Sequence, residues 1–176
     1  MKPGEIMDLQ EIAFLVVDDS KFMCDLVRGM LKAFGARKVL SSGDGRNLSH
    51  FIKKQKIDIL ILDWMMFPDH GSMVLKELRK VGNDVATTPT IVLTGHTDMY
   101  SLKQAVEGGA DMVIKKPASA RVLYKRICDL IESKRQYIQV GEYLGPVTHA
   151  HHKMMGEDKD GSIKDHTGAE YWLVQP

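Results

Sequence analysis

Short apolar runs recur along the first 135 residues, each separated from the next by an amphipathic stretch. This alternation restricts the chain to few folds. Ile12 to Val17, Ile57 to Leu62 and Thr90 to Leu93 are the clearest runs, Asp111 to Ile114 is shorter, and Val39 with Leu40 marks a weaker one. A run that is apolar at every position, rather than at every second one, suits a strand buried on both faces, as parallel sheets require. Between the runs the apolar period is helical. Phe22, Leu26, Val27, Met30, Leu31 and Phe34 form one stripe, with Gly35 as its stop signal. Val74, Leu78 and Val81 form another, Leu102, Ala105 and Val106 a third, and Leu123, Ile127, Leu130 and Ile131 a fourth. Residues 45–55 carry a weaker one with Leu48, Phe51 and Ile52. Five strands alternating with five helices predict a doubly wound α/β domain over residues 10–135.

Composition changes near residue 136. Residues 136–176 hold three lysines and no arginine against six acidic residues, and Met154 to Asp165 has neither period. This extension is expected to be mostly irregular. His149, His151 and His152 within it are read as a solvated cluster, and Tyr171 to Val174 as an apolar patch that folds back or meets a partner. The whole chain carries a net charge of +1, which gives no global electrostatic case for DNA or an acidic membrane surface. Neither a secretory signal nor an apolar stretch of about 20 residues is visible. Cys24 and Cys128 fit no ligand spacing and read as reduced thiols. A cytoplasmic protein is expected.

Open α/β sheets bind ligands at the carboxyl ends of their strands. The first run ends in Asp18-Asp19, the third in Asp63, the fourth in Thr94 and the fifth in Lys115-Lys116-Pro117. Single aspartates after strands are common as helix caps, and Asp98 is read as one. The full set on one rim is harder to explain that way. Crowded carboxylates repel, and a hard divalent cation such as Mg2+ removes that cost. A hydroxyl and an ammonium facing the same point suit a phosphoryl group.

The set resembles the receiver domain of two-component response regulators, the CheY-like family. Phe14 to Ser20, Ile59 to Asp63, Ile91 to Gly95, and Gly108 to Asp111 followed by Lys116-Pro117 carry the resemblance. It implies a flavodoxin-like parallel sheet of order 2-1-3-4-5. It also implies that Asp63 takes a phosphoryl group from a histidine kinase or histidine phosphotransfer protein. Mg2+ would be held by Asp19, Asp63 and the backbone carbonyl of Met65, with Asp18 bound directly or through water. Thr94 and Lys116 would contact the phosphoryl oxygens. Met65, His96 and Val113 occupy modulatory positions. Val113 stands where the family usually has an aromatic ring, and Pro68 falls one position later than usual.

The chain is thus expected to be a stand-alone response regulator acting through a downstream protein target, with homodimerisation possible from family behaviour. It would be a signalling phosphoacceptor rather than an enzyme. The alternative is an aspartyl-phosphate-forming phosphatase or hydrolase on a similar sheet. Haloacid-dehalogenase-type enzymes place a second aspartate two residues after the nucleophile, where this chain has Met65. The loop Trp64 to Phe67 is read as local packing against the first helix, in preference to a docking surface beside the acceptor.

Overall fold

The computed structural model describes residues 7–95, 98–133 and 135–148, and the backbone of 172–174. Its main sheet has five strands: β1 (Ala13–Val17), β2 (Lys38–Ser42), β3 (Ile59–Asp63), β4 (Thr90–Thr94) and β5 (Met112–Lys115). All neighbouring pairs are parallel, in the order β2-β1-β3-β4-β5. The helices are α1 (Lys21–Ala33), α2 (Leu48–Gln55), α3 (Gly71–Leu78), α4 (Met99–Glu107) and α5 (Ala120–Glu132). The predicted doubly wound architecture is the one observed.

Strand periodicity sorts the apolar runs into two cores. Phe14, Val16, Ile59, Ile61, Ile91, Leu93 and Ile114 pack with Val27 and Leu31 of α1 and Leu123, Ile127 and Leu130 of α5. Their alternates Ala13, Leu15, Val17, Leu60, Leu62 and Val92 pack with Leu48 and Ile52 of α2, Val74, Leu75 and Leu78 of α3 and Ala105 of α4. A strand with helices on both sides has no solvent face, so every position in β1, β3 and β4 is buried. Val113 packs against the second core.

Serine and aspartate caps start three of the helices. Ser20 caps α1, Asp98 caps α4 by accepting from the Ser101 amide at 2.9 Å, and Ser119 caps α5. The expected stripe on α1 is only partly right. Its core face is Cys24, Val27 and Leu31, whereas Phe22 and Leu26 point to solvent. A stripe drawn through 22, 26 and 30 lies beside the buried one, and apolar content alone does not tell which faces the sheet. Val81 is likewise exposed, because α3 ends at Leu78. Both cysteines are free and buried.

The first part of the extension is ordered. Strands β6 (Tyr137–Val140) and β7 (Tyr143–Pro146) form an antiparallel hairpin, and β8 (Trp172–Val174) pairs with β6 on the other side. The histidine cluster and the polar stretch from Met154 to Asp165 lie outside the described residues. The hairpin meets the end of α3, where the Leu144 amide donates to the Arg79 carbonyl at 2.7 Å and the Val81 amide donates to that of Glu142 at 2.9 Å.

A buried ion pair sits under this junction. Arg79 and Asp111 have side chains only 1% and 0% exposed and meet at 2.9 Å. The Arg79 guanidinium also donates to the carbonyls of Gly109 (3.0 Å), Thr88 (2.9 Å) and Ala86. Asp111 accepts from the Thr90 amide at 2.7 Å, from Arg135 at 2.9 Å and from the Tyr137 hydroxyl at 3.2 Å. Such saturation is what lets a charge pair persist away from water. Burial pushes the Tyr137 and Tyr143 phenols well above the ordinary tyrosine range, and the Asp111 charge adds to this at Tyr137. Gly109, at φ +97, leaves room where a Cβ would lie 2.9 Å from both Arg79 and Tyr143.

Candidate functional site

Register builds the site. In the β1–β3 pair Val17 lies opposite Leu62, so the next residues, Asp18 and Asp63, come side by side at the carboxyl end of the sheet. In the β4–β5 pair Thr94 lies opposite Lys115, and the Lys116 amide then donates to the Thr94 carbonyl at 2.7 Å. Four expected residues are thereby gathered by backbone pairing alone. Lys116 Nζ closes the group, 2.7 Å from Asp18 Oδ2 and 2.8 Å from Asp63 Oδ1. The Lys116–Pro117 peptide bond is cis.

The electrostatics follow from partial burial. Asp18, Asp63 and Thr94 are buried, and Asp19 is exposed. Burial pushes the Asp63 carboxyl above its ordinary pKa, the Lys116 ammonium opposes this, and the Asp18 charge raises it further. Burial would lower the Lys116 pKa, but its hydrogen bonds to Asp18 and Asp63 outweigh it and hold the ammonium above the usual lysine value. Carboxylate oxygens of Asp18, Asp19 and Asp63 all lie within 4.8 Å of one another. An all-oxygen cluster that is open on the Asp19 side fits a hard divalent ion that keeps several waters.

The loop after Asp63 is held at both ends. The Trp64 amide donates to the Leu93 carbonyl at 2.8 Å, and the Phe67 amide donates to Asp19 Oδ2 at 3.0 Å. Trp64 packs edge-on to His70, with ring centroids 5.0 Å apart. His70 caps α3, with Nδ1 accepting from the Ser72 amide at 3.2 Å, and its Nε2 faces the Met65 sulfur at 3.1 Å. Gly71 fits tightly beneath: a Cβ there would stand 2.8 Å from the Asp63 carbonyl oxygen and 2.9 Å from Trp64 Cα. Neither contact is a flexible side-chain end. Gly71→Ala is therefore expected to cost about 1–3 kcal/mol by overpacking. A urea denaturation midpoint unchanged from wild type would contradict this.

Asp18, Asp19, Asp63, Thr94 and Lys116 thus meet on one rim, and Met65 stands two residues beyond Asp63, its side chain half exposed. Val113 lies below the rim, inside β5. His96 lies outside the described residues. Two contacts have no clear sequence signal. The hook from Phe67 to Asp19 runs through a backbone amide, which no side-chain pattern reveals. The cap by His70 stands directly before a helix, but histidine is a weak cap signal in sequence.

The family model for the response regulator receiver domain matches residues 14–128. Response regulator SaeR of Staphylococcus aureus (strain USA300) is 32% identical over 123 residues, which cover 70% of this chain and 52% of that protein. The chain thus spans about half the length of the curated relatives it matches. Among solved structures, the Vibrio cholerae chemotaxis protein CheY4 superposes with a TM-score of 0.62 at 27% identity, covering 68% of this chain and 98% of that one. The receiver domain of the Francisella response regulator 1452 gives 0.60 at 25% identity, with coverage of 68% and 96%. The chain belongs to the response regulator receiver domain family of two-component systems.

Proposed function

We propose that Asp63 is the phosphoacceptor and that a histidine kinase or histidine phosphotransfer protein is the donor. The observation that carries this reading is the recessed Asp63 carboxylate, bridged by Lys116 to Asp18 with Asp19 alongside. A carboxylate oxygen of Asp63 attacks phosphorus as the donor's phosphorus–nitrogen bond breaks, and the donor imidazole leaves with the electron pair. Asp63 must be ionised to do this, and the Lys116 ammonium keeps it so against the cost of burial. Asp18, Asp19, Asp63 and the Met65 carbonyl would hold Mg2+, which neutralises charge on the phosphoryl oxygens. Lys116 pairs with one of those oxygens, and Thr94 supplies a hydroxyl to another.

The receiver unit over residues 10–135 then signals through protein–protein contacts, as a shift between two conformations favoured differently by the phosphorylated site. A cytoplasmic setting agrees with this. Among the described residues no helix is long and apolar enough to cross a membrane. The test is intact mass after incubation with Mg2+ and phosphoramidate, for wild type and Asp63→Asn. Wild type is expected to gain one phosphoryl group and the variant none. A variant that gains as much as wild type would overturn the assignment of Asp63.

A further inference from the structure

The loop beside the acceptor divides its four apolar residues in an informative way. Trp64 and Met66 are buried, at 1% and 7% exposure, while Met65 and Phe67 are open to solvent at 48% and 84%. The expected packing against α1 is not what buries the first pair, because the α1 core lies on the other face of the sheet. Trp64 and Met66 belong to the core that α2, α3 and α4 make with the sheet, so packing there accounts for them. No such packing accounts for Phe67.

Phe67 is presented on fixed backbone. Its amide is bound to the Asp19 carboxylate at 3.0 Å, and its neighbour Met66 is anchored in the core. A large aromatic side chain on ordered backbone loses little freedom when it is covered, which is the character of an interface hot spot. Its position says what would cover it. The Asp63 side chain is only 6% exposed, so a phosphorus atom must be carried into the rim to reach it. Near-attack geometry brings the reacting atoms to about 3–3.5 Å. A protein donor that carries phosphorus so far rests on the residues around the opening, and Phe67 is tied directly to one of its carboxylates. Small phosphoramidate carries no such surface to seat.

We propose that Phe67 is a specificity-determining residue for protein donors, seating an apolar surface that surrounds the donor's phosphohistidine. This rests on Asp63 being the acceptor, and two donor types separate the claims. Phosphotransfer is measured from a panel of purified, histidine-phosphorylated phosphotransfer proteins, and separately from phosphoramidate with Mg2+, for wild type, Phe67→Ser and Phe67→Leu. With the fastest protein donor, Phe67→Ser is expected to slow transfer about tenfold through a raised KM, and Phe67→Leu to recover most of it. Both variants should take the group from phosphoramidate at close to the wild-type rate.

Equal rates from the protein donor for wild type and Phe67→Ser would overturn the proposal. So would a parallel loss with both donors, which would assign the ring to the chemistry. A wild type that reacts with phosphoramidate and with no protein donor overturns it as well. If Phe67→Ser alters only self-association, the occupant is a second copy and the proposal falls. Wild type inert to phosphoramidate would instead bring down the reading of Asp63 itself.

Discussion

Lys116→Met is expected to slow phosphorylation from phosphoramidate by about 100-fold, the loss typical when one charge-stabilising donor is removed from a reacting centre. The same variant should bind Mg2+ about tenfold more tightly, since charges near 4 Å at a protein surface interact by a few kcal/mol. The opposite signs come from one position. The Lys116 ammonium lies 2.7 Å from Asp18 and 2.8 Å from Asp63. On the proposed reading it meets charge that develops on a phosphoryl oxygen, yet it also uses carboxylate lone pairs and repels an approaching cation. Removing it leaves two buried carboxylates facing each other, a stronger trap for a divalent ion and a poorer acceptor. The ion titration can be read from the fluorescence of Trp64, the residue next to Asp63. Weaker Mg2+ binding together with an unchanged rate would refute this account of the lysine.

Asp111→Ala is expected to lower unfolding stability by about 3–5 kcal/mol, the usual result of removing one partner from a buried ion pair. Against a typical total of about 5–15 kcal/mol this is a large fraction. The loss is not confined to the pair. Arg79 keeps its three carbonyl acceptors but loses its counter-charge, the Thr90 amide and the Tyr137 hydroxyl lose their acceptor together, and Arg135 is left with the residue 111 backbone carbonyl alone. The carboxyl end of the sheet is untouched, so phosphorylation of the folded fraction should continue. Urea denaturation of the two proteins gives the difference, and a change below about 1 kcal/mol would show that the site relaxes or admits water.

The rim could be read from sequence because strands end where apolar runs end. Asp18, Asp63, Thr94 and Lys116 each stand at such a boundary, and parallel register does the rest. The base of the sheet could not be read in the same way. Arg79 looks like one more surface charge at the end of a helix. Asp111 looks like the first residue of a short run, and 32 positions separate the two. Only the tertiary fold brings them together. The hairpin is hard to read in sequence for a local reason. Its strands have four residues each, and the turn between them, Gly141-Glu142, lacks the Asn-Gly or Asp-Gly signal of a tight hairpin. On α1, Phe22 and Leu26 look like core positions because exposed apolar residues are as apolar in sequence as buried ones.

The shared carboxylate of Asp111 also fixes where the molecule's cooperative unit ends. The family match stops at residue 128 and the change in composition falls near 136, yet Arg135 and Tyr137 bind the same side chain that neutralises Arg79. The hairpin cannot peel away without stripping hydrogen bonds from a buried charge pair. It therefore opens with the sheet rather than before it, and a receiver cut at either apparent boundary would be a less stable protein than the one its family outline suggests.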